Sequence, residues 1–179
     1  MRAIDSAALA QQVVAEADRL GRRIAVAESL TGGLLAATIV SVPGASRVFS
    51  GGIVAYDTAL KASLLAVDVG LLTAYGPVNP EVARQMARGA RSACAVPPPG
   101  QAIGSTRSEA DVAVATTGVA GPDADPQTGQ AVGTVWIGVS SSAGEMAHEL
   151  QLQGDRAEIR TEAVRAALQI LRGSLRSQT

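Results

Sequence analysis

The stretch S-R-V-F-S-G-G-I-V-A-Y-D-T-A-L-K, Ser46 to Lys61, runs an apolar strand straight into a helix. Gly51 to Tyr56 reads as the strand, with a glycine pair that permits close backbone approach. Asp57 or Thr58 caps a short helix carrying Lys61, Leu64 and Leu65. Tyr56 therefore closes a strand, and Lys61 lies about one turn into the next helix. Open α/β sheets place their ligands at that carboxyl edge. Lys61 is the only lysine, and all the other basic residues, 15 with it, are arginine. Guanidinium stays protonated at physiological pH, whereas an ammonium can be desolvated, lose its proton and act as a base. The stretch also holds Ser46, a candidate nucleophile, and two of the four aromatic residues, Phe49 and Tyr56.

Upstream, Ser6 to Arg22 reads as an amphipathic helix, with Leu9, Val13, Val14, Ala17 and Leu20 at three- and four-residue steps. Asp5 or Ser6 caps it and Gly21 ends it. A short apolar strand, Arg23 to Ala27, then runs into Glu28-Ser29-Leu30-Thr31-Gly32-Gly33 and a helix from Leu34 to Val42. A strand, a Ser/Thr/Gly turn and a helix start gather free backbone N–H groups and the positive end of a helix dipole. Such a junction suits an anion as well as a plain cap. It is not a Walker P-loop, because the closing Gly-Lys-Ser/Thr is absent. Glu28, leaving a buried strand, needs a partner: a ribose hydroxyl or a capping N–H.

Downstream, Val67 to Tyr75 is a short helical piece. Asn79 caps the next helix, with Pro80 as its first residue. That helix runs to about Ala95, with Val82, Met86, Gly89, Ala90 and Ala93 facing inward. Pro97 to Glu109 is an exposed loop without apolar periodicity, too short to separate two domains. Asp111 to Thr117 is a buried-type strand opening into the polar loop Gly118 to Pro126. Gly133 to Ser140 and Met146 to Gln153 form a hairpin turning at Ser141 to Gly144. Asp155 caps the last helix, whose buried stripe includes Ile159, Ala163, Ala166, Ala167, Ile170 and Leu171. Arg156 stands at that helix start, against the dipole. Either an anionic partner or a surface pair accounts for it. The order α-β-α-β-α-α-β-β-β-α predicts a single domain over 1–179. We expect a three-layer α/β/α sandwich with a mixed, mostly parallel sheet.

Composition narrows the function. Of 179 residues, 47% are hydrophobic and 17% charged, which fits one globular domain. A net charge of −1 without a basic run gives no support to nucleic-acid or anionic-membrane binding. No apolar run reaches a membrane span, and Met1-Arg2-Ala3-Ile4-Asp5 has no signal-peptide pattern, so a cytoplasmic location is expected. One Cys, Cys94, and one His, His148, assemble neither a zinc cluster nor a Ser-His-Asp triad. Cys94 is read as packing and His148 as a polar face residue. Ser46, Tyr56 and Lys61 form a plausible set instead. A neutral Lys takes the Ser proton, Tyr relays or stabilises it, and Ser attacks a carbonyl. Ser, Tyr and Lys in this order also occur in short-chain dehydrogenases. There Tyr and Lys are four apart, and a dinucleotide fingerprint follows the first strand; neither holds here.

Several motifs in one order carry a resemblance. They are Ala27 to Gly33, Pro43-Gly44-Ala45-Ser46, Gly52 to Tyr56, Lys61, Tyr75-Gly76-Pro77-Val78, Thr117 to Pro122, Val132 to Trp136 and Gly154-Asp155-Arg156. Over about residues 6 to 175 the chain resembles the C-terminal domain of the competence- and damage-inducible CinA proteins, the stand-alone nicotinamide-nucleotide amidohydrolase type. The resemblance implies deamidation of nicotinamide mononucleotide to nicotinic acid mononucleotide and ammonia, in pyridine nucleotide recycling. It implies Ser46, Tyr56 and Lys61 as catalytic residues. It puts Glu28, Ser29, Thr31, Gly32, Thr117, Gly118 and Gly121 at the substrate, with Arg156 meeting the phosphate. No metal or organic cofactor is implied, and a homodimer or higher homo-oligomer is expected. The large N-terminal domain of full-length CinA proteins is not in this sequence, so its activity is not expected. Two features depart from the pattern. Gln130-Ala131 stands where the family commonly has Lys-Pro, and the 97–109 loop is longer than usual. The alternative reading is a catalytically weak nucleotide-binding regulatory module of the same fold.

Overall fold

The computed structural model describes residues 5–177. Met1 to Ile4, most of the stretch without a signal-peptide pattern, lie outside the described residues. The elements run α1 (Ser6–Leu20), β1 (Ile24–Glu28), α2 (Leu34–Val40), a single 3-10 turn (Ala45–Arg47), β2 (Phe49–Val54), α3 (Thr58–Leu65), α4 (Val69–Tyr75), α5 (Pro80–Ala93), β3 (Val112–Gly118), β4 (Thr134–Ser141), β5 (Gly144–Gln151) and α6 (Arg156–Arg176). The piece at Val67 to Tyr75 is thus a helix in its own right, and three helices separate β2 from β3.

The sheet order is β2-β1-β3-β4-β5. β2, β1 and β3 pair in parallel, while β4 is antiparallel to both β3 and β5. Four strands therefore point one way and only β4 opposes them, which is the mixed, mostly parallel sheet expected. Helices cover both faces. Ile24, Val26, Val112 and Val114 pack with α1, α2 and α6. The alternate residues Ala25, Ala27, Ala113 and Ala115 meet α5 and the end of α3. This split follows from the two-residue period of a strand buried on both faces.

The alanine face draws α5 close. A Cβ on Gly138 of β4 would overlap the Ala83 carbonyl of α5, and one on Gly89 of α5 would overlap the Leu65 carbonyl at the end of α3. Only glycine tolerates these approaches, and they seat α3, with Lys61, against the sheet. The caps form largely as the sequence suggests. Asp57 and Asn79 each accept a backbone N–H two residues on. Asp155 builds a full capping box with Glu158. At α1, Asp5 sits at the cap position without a side-chain bond.

The 97–109 loop is clipped by a bridge between Val96 and Ser108. It enters β3 at the amino edge of the sheet, where the Asp111 N–H meets the Arg23 carbonyl. It is remote from the carboxyl edge. Cys94 is half-buried at the end of α5, where burial pushes its thiol up. No helix among the described residues is long and apolar enough to cross a membrane.

Candidate functional site

A cavity of about 470 Å³ opens at the carboxyl edge of the parallel strands, a size suited to a small ligand. The turn after β1 gives it Ser29 and Leu30, and the β2–α3 segment gives Tyr56, Thr58 and Lys61. Pro77 and Val78 stand before α5. Thr117 and Gly118 come from the end of β3, Ala120, Asp125 and Pro126 from the loop beyond it, and Arg156 from the start of α6.

Lys61 is the floor. Its side chain is only 1% exposed, and its Nζ donates to Ser29 Oγ and to the Ala55 carbonyl, each at 3.0 Å. Burial pulls its pKa down to about 8, opposed by the nearby Asp57 charge. A neutral amine is therefore accessible near physiological pH, in hydrogen-bond reach of a hydroxyl. Strand register makes the pair. β1 lies beside β2 with Glu28 opposite Val54, so residues 29 and 55 leave the sheet side by side and Lys61 reaches both.

Ser46 is not brought to this cluster. It sits in the turn before the amino end of β2, beside a separate hollow lined by Val42, Pro43 and Phe49. Tyr56 and Lys61 follow the carboxyl end, so the length of a six-residue strand, about 20 Å, intervenes. The serine paired with Lys61 is Ser29, which the sequence reading placed among the binding residues.

The Ser29 turn is held from three sides. Glu28 is fully buried, and its carboxylate accepts the N–H groups of Gly33, Leu35 and Ala36 at 2.8–3.0 Å. Of its two open partners, the capping N–H is the one realised. Glu28 anchors the first turn of α2 and does not line the cavity. Thr31 is likewise buried and shares a 2.7 Å hydrogen bond with Thr116. Gly32 takes a left-handed conformation, φ 58°. Arg160, one turn beyond Arg156 on α6, donates to the Leu30 and Thr31 carbonyls. Sequence reasoning missed Arg160, although the i, i+4 spacing from Arg156 puts both on one helix face.

The far wall is pinned too. Thr117 Oγ1 donates to the Pro77 carbonyl at 2.7 Å. Arg156 donates to the Gly121 carbonyl and to the Tyr56 hydroxyl, both at 2.7 Å. Its partners are a carbonyl and a phenol, so the surface-pair explanation is not the one realised and its positive charge faces the cavity mouth. Gly121 acts through its carbonyl, not as a lining residue. Gln130 donates to the Val78 carbonyl at 2.8 Å and ties down the loop. Leu30, Thr58, Pro77, Val78, Ala120, Asp125 and Pro126 also line the cavity, and no local pattern marks them as site residues.

Comparison with known proteins agrees with this architecture. The family model described as the CinA C-terminal domain matches residues 6–97 and 101–175; the gap falls within the exposed loop. A CinA-like protein of Frankia casuarinae is 47% identical over 152 residues, covering 85% of this chain and 31% of the relative. A CinA-like protein of Anaeromyxobacter sp. is 41% identical over 164 residues, 92% of this chain and 36% of the relative. The chain thus spans about a third of the length of these curated relatives. Among solved structures, the competence/damage inducible protein CihA from Agrobacterium tumefaciens superposes with a TM-score of 0.82 at 32% identity, covering 98% of both chains. The competence damage-inducible protein A (ComA) from Klebsiella pneumoniae gives 0.86 at 26% identity, covering 98% of this chain and all of the other.

Proposed function

The chain belongs to the CinA C-terminal domain family, and from that premise we propose that it is an amidohydrolase that deamidates nicotinamide mononucleotide to nicotinic acid mononucleotide and ammonia. The observation that carries the reading is the buried Lys61–Ser29 hydrogen bond at the floor of a cavity with Arg156 at its mouth. We assign the nucleophile to Ser29, not Ser46.

Neutral Lys61 takes the Ser29 proton as Oγ attacks the carboxamide carbon. The oxyanion of the tetrahedral adduct needs N–H donors. The Leu30 and Thr31 amides stand on the turn directly after Ser29 and make no hydrogen bond among the described residues. The Lys61 ammonium then protonates the departing nitrogen, the C–N bond breaks and ammonia leaves an acyl-Ser29. Water, deprotonated by Lys61, attacks the ester; the acyl C–O bond to Ser29 breaks, the Lys61 ammonium returns the proton to Oγ, and the acid is released. Arg156 meets the phosphate with the N–H groups it does not spend on Gly121 and Tyr56. Tyr56 lines the cavity and accepts from Arg156 through its hydroxyl, so it holds that guanidinium for the phosphate.

The binding-module alternative drew on the missing lysine before Val132. Gln130 ties the loop to the Val78 carbonyl from that position; both readings share the pocket so formed, and the buried Lys61–Ser29 pair is what favours the enzyme. Self-association belongs to the proposal as well. β2 is an edge strand, and Val54, Leu60 and Leu64 near it are exposed apolar side chains. The deciding assay is ammonia release from nicotinamide mononucleotide by the purified chain. Activity that is lost in Ser29→Ala and kept in Ser46→Ala supports the reading; no release by the unmodified chain overturns it.

A further inference from the structure

We propose that Asp125 is the residue that selects a ribonucleotide, by accepting a hydrogen bond from a sugar hydroxyl of the ligand. This rests on the deamidase reading for the identity of the ligand. Among the described residues, Asp125 is the one carboxylate lining the cavity. Its Oδ1 accepts from the Gln127 N–H at 3.2 Å, the Thr128 N–H at 2.7 Å and the Thr128 hydroxyl at 2.7 Å. Backbone bonds from Asp125 N to the Gln130 carbonyl and from Gly129 N to the Asp125 carbonyl close the loop around it. Gln127 and Gln130 fasten that loop to the Leu72 and Val78 carbonyls. The side chain is thereby fixed through one oxygen. Its other oxygen, Oδ2, has no protein donor among the described residues, and neither Lys61 nor Arg156 pairs with it. A held carboxylate with one oxygen to spare is a preorganised acceptor.

Depth decides which part of the ligand it meets. Ser29 and Lys61 are 9% and 1% exposed, so the reacting amide goes to the floor. Arg156 is exposed at the mouth and Asp125 is half-buried on the surface loop. A pyridine mononucleotide entering amide first leaves its sugar at the level of Asp125 and its phosphate toward Arg156. A carboxylate accepting a ribose hydroxyl is a recurrent device of nucleotide sites.

The test is calorimetric titration of the full chain carrying Ser29→Ala, which keeps ligands intact. The ligands are nicotinamide mononucleotide and its 2′-deoxy and 3′-deoxy forms. At least one deoxy form is expected to bind about 10- to 100-fold more weakly, the worth of a hydrogen bond to a charged group. Adding Asp125→Asn keeps Oδ1 for the loop and replaces Oδ2 by a donor; the ratio is then expected to fall below about threefold. Equal binding of all three nucleotides with Asp125 intact overturns the proposal without any change at Asp125. So does discrimination that survives Asp125→Asn. A uniform loss of affinity at an unchanged ratio also overturns it, because that is general charge attraction to the pyridinium. Binding is read without turnover, so a chain that discriminates the nucleotides but releases no ammonia fails the deamidase reading alone.

Discussion

Lys61 Nζ lies 3.0 Å from Ser29 Oγ, and both side chains are almost wholly removed from solvent. Thirty-two residues separate them in the chain, and the parallel pairing of β1 with β2 joins them. A buried ammonium is costly unless its hydrogen bonds are met. Here the Ala55 carbonyl and the Ser29 hydroxyl meet two of its three donors.

Removing either partner has a defined outcome in steady-state ammonia assays. Ser29→Ala is expected to lower kcat by about four to six orders of magnitude, as loss of a nucleophile does. Lys61→Arg is expected to do nearly the same, since a guanidinium cannot serve as base. Ser46→Ala is expected to leave kcat within about twofold, because Ser46 lies at the opposite end of β2.

The lowered Lys61 pKa predicts two pH profiles. The neutral amine is the active form, so kcat/KM is expected to rise with pH through a midpoint near 8. For stability, the folded pKa lies below the reference value of 10.5, so the unfolded chain holds more protons between about 8 and 10.5. Stability therefore rises with pH across that window, by up to about 3 kcal/mol, and is flat for this group below it. Urea unfolding at pH 7.5 and pH 10, with Lys61→Met as the comparison, isolates the contribution. A pH dependence that is the same in Lys61→Met rejects it.

The sequence showed Lys61 and Tyr56 because each stands at a strand-to-helix junction and Lys61 is chemically unique in the chain. It showed the three-layer sheet because β1 and β3 are continuous apolar runs, while the hairpin alternates. It did not show that Ser29, and not Ser46, is the serine hydrogen-bonded to Lys61. Both are serines near a glycine, and Ser46 shares its stretch with Tyr56 and Lys61. Choosing between them needs the β1–β2 register, and a strand's partner is set by long-range packing that no local pattern records. The Glu28 cap was half legible: a carboxylate leaving a buried strand needs a partner, and the choice between a ribose hydroxyl and the N–H groups five to eight residues on needed the geometry of the turn. The same limit hid the Asp125 loop, where neither apolar period nor turn signal fixes the geometry.

Arg156 is expected to act on binding more than on chemistry. Its side chain is exposed and outside the core, so Arg156→Ala is expected to change thermal stability little. KM for nicotinamide mononucleotide is expected to rise about 10- to 100-fold, the loss of charge-assisted bonds to a phosphate. Arg156→Lys is expected to recover only part, because a point charge cannot hold Gly121, Tyr56 and a phosphate together. An unchanged KM in Arg156→Ala separates Arg156 from the phosphate.

Glu28 is expected to matter through the turn that it holds. Its two oxygens take three N–H groups at the start of α2, and no water reaches them. Glu28→Gln keeps the shape but turns one oxygen into a donor facing donors. That leaves buried N–H groups unpaired and is expected to cost about 2–3 kcal/mol in urea unfolding. Ser29 follows immediately, and its N–H is held by the Thr116 carbonyl. Loosening the turn shifts Oγ relative to Lys61, so kcat is expected to fall while KM changes little, under conditions where the variant remains folded. A positioning role requires that split. A loss of stability with kcat unchanged would mean that Glu28 anchors α2 and has no influence on the Ser29 geometry.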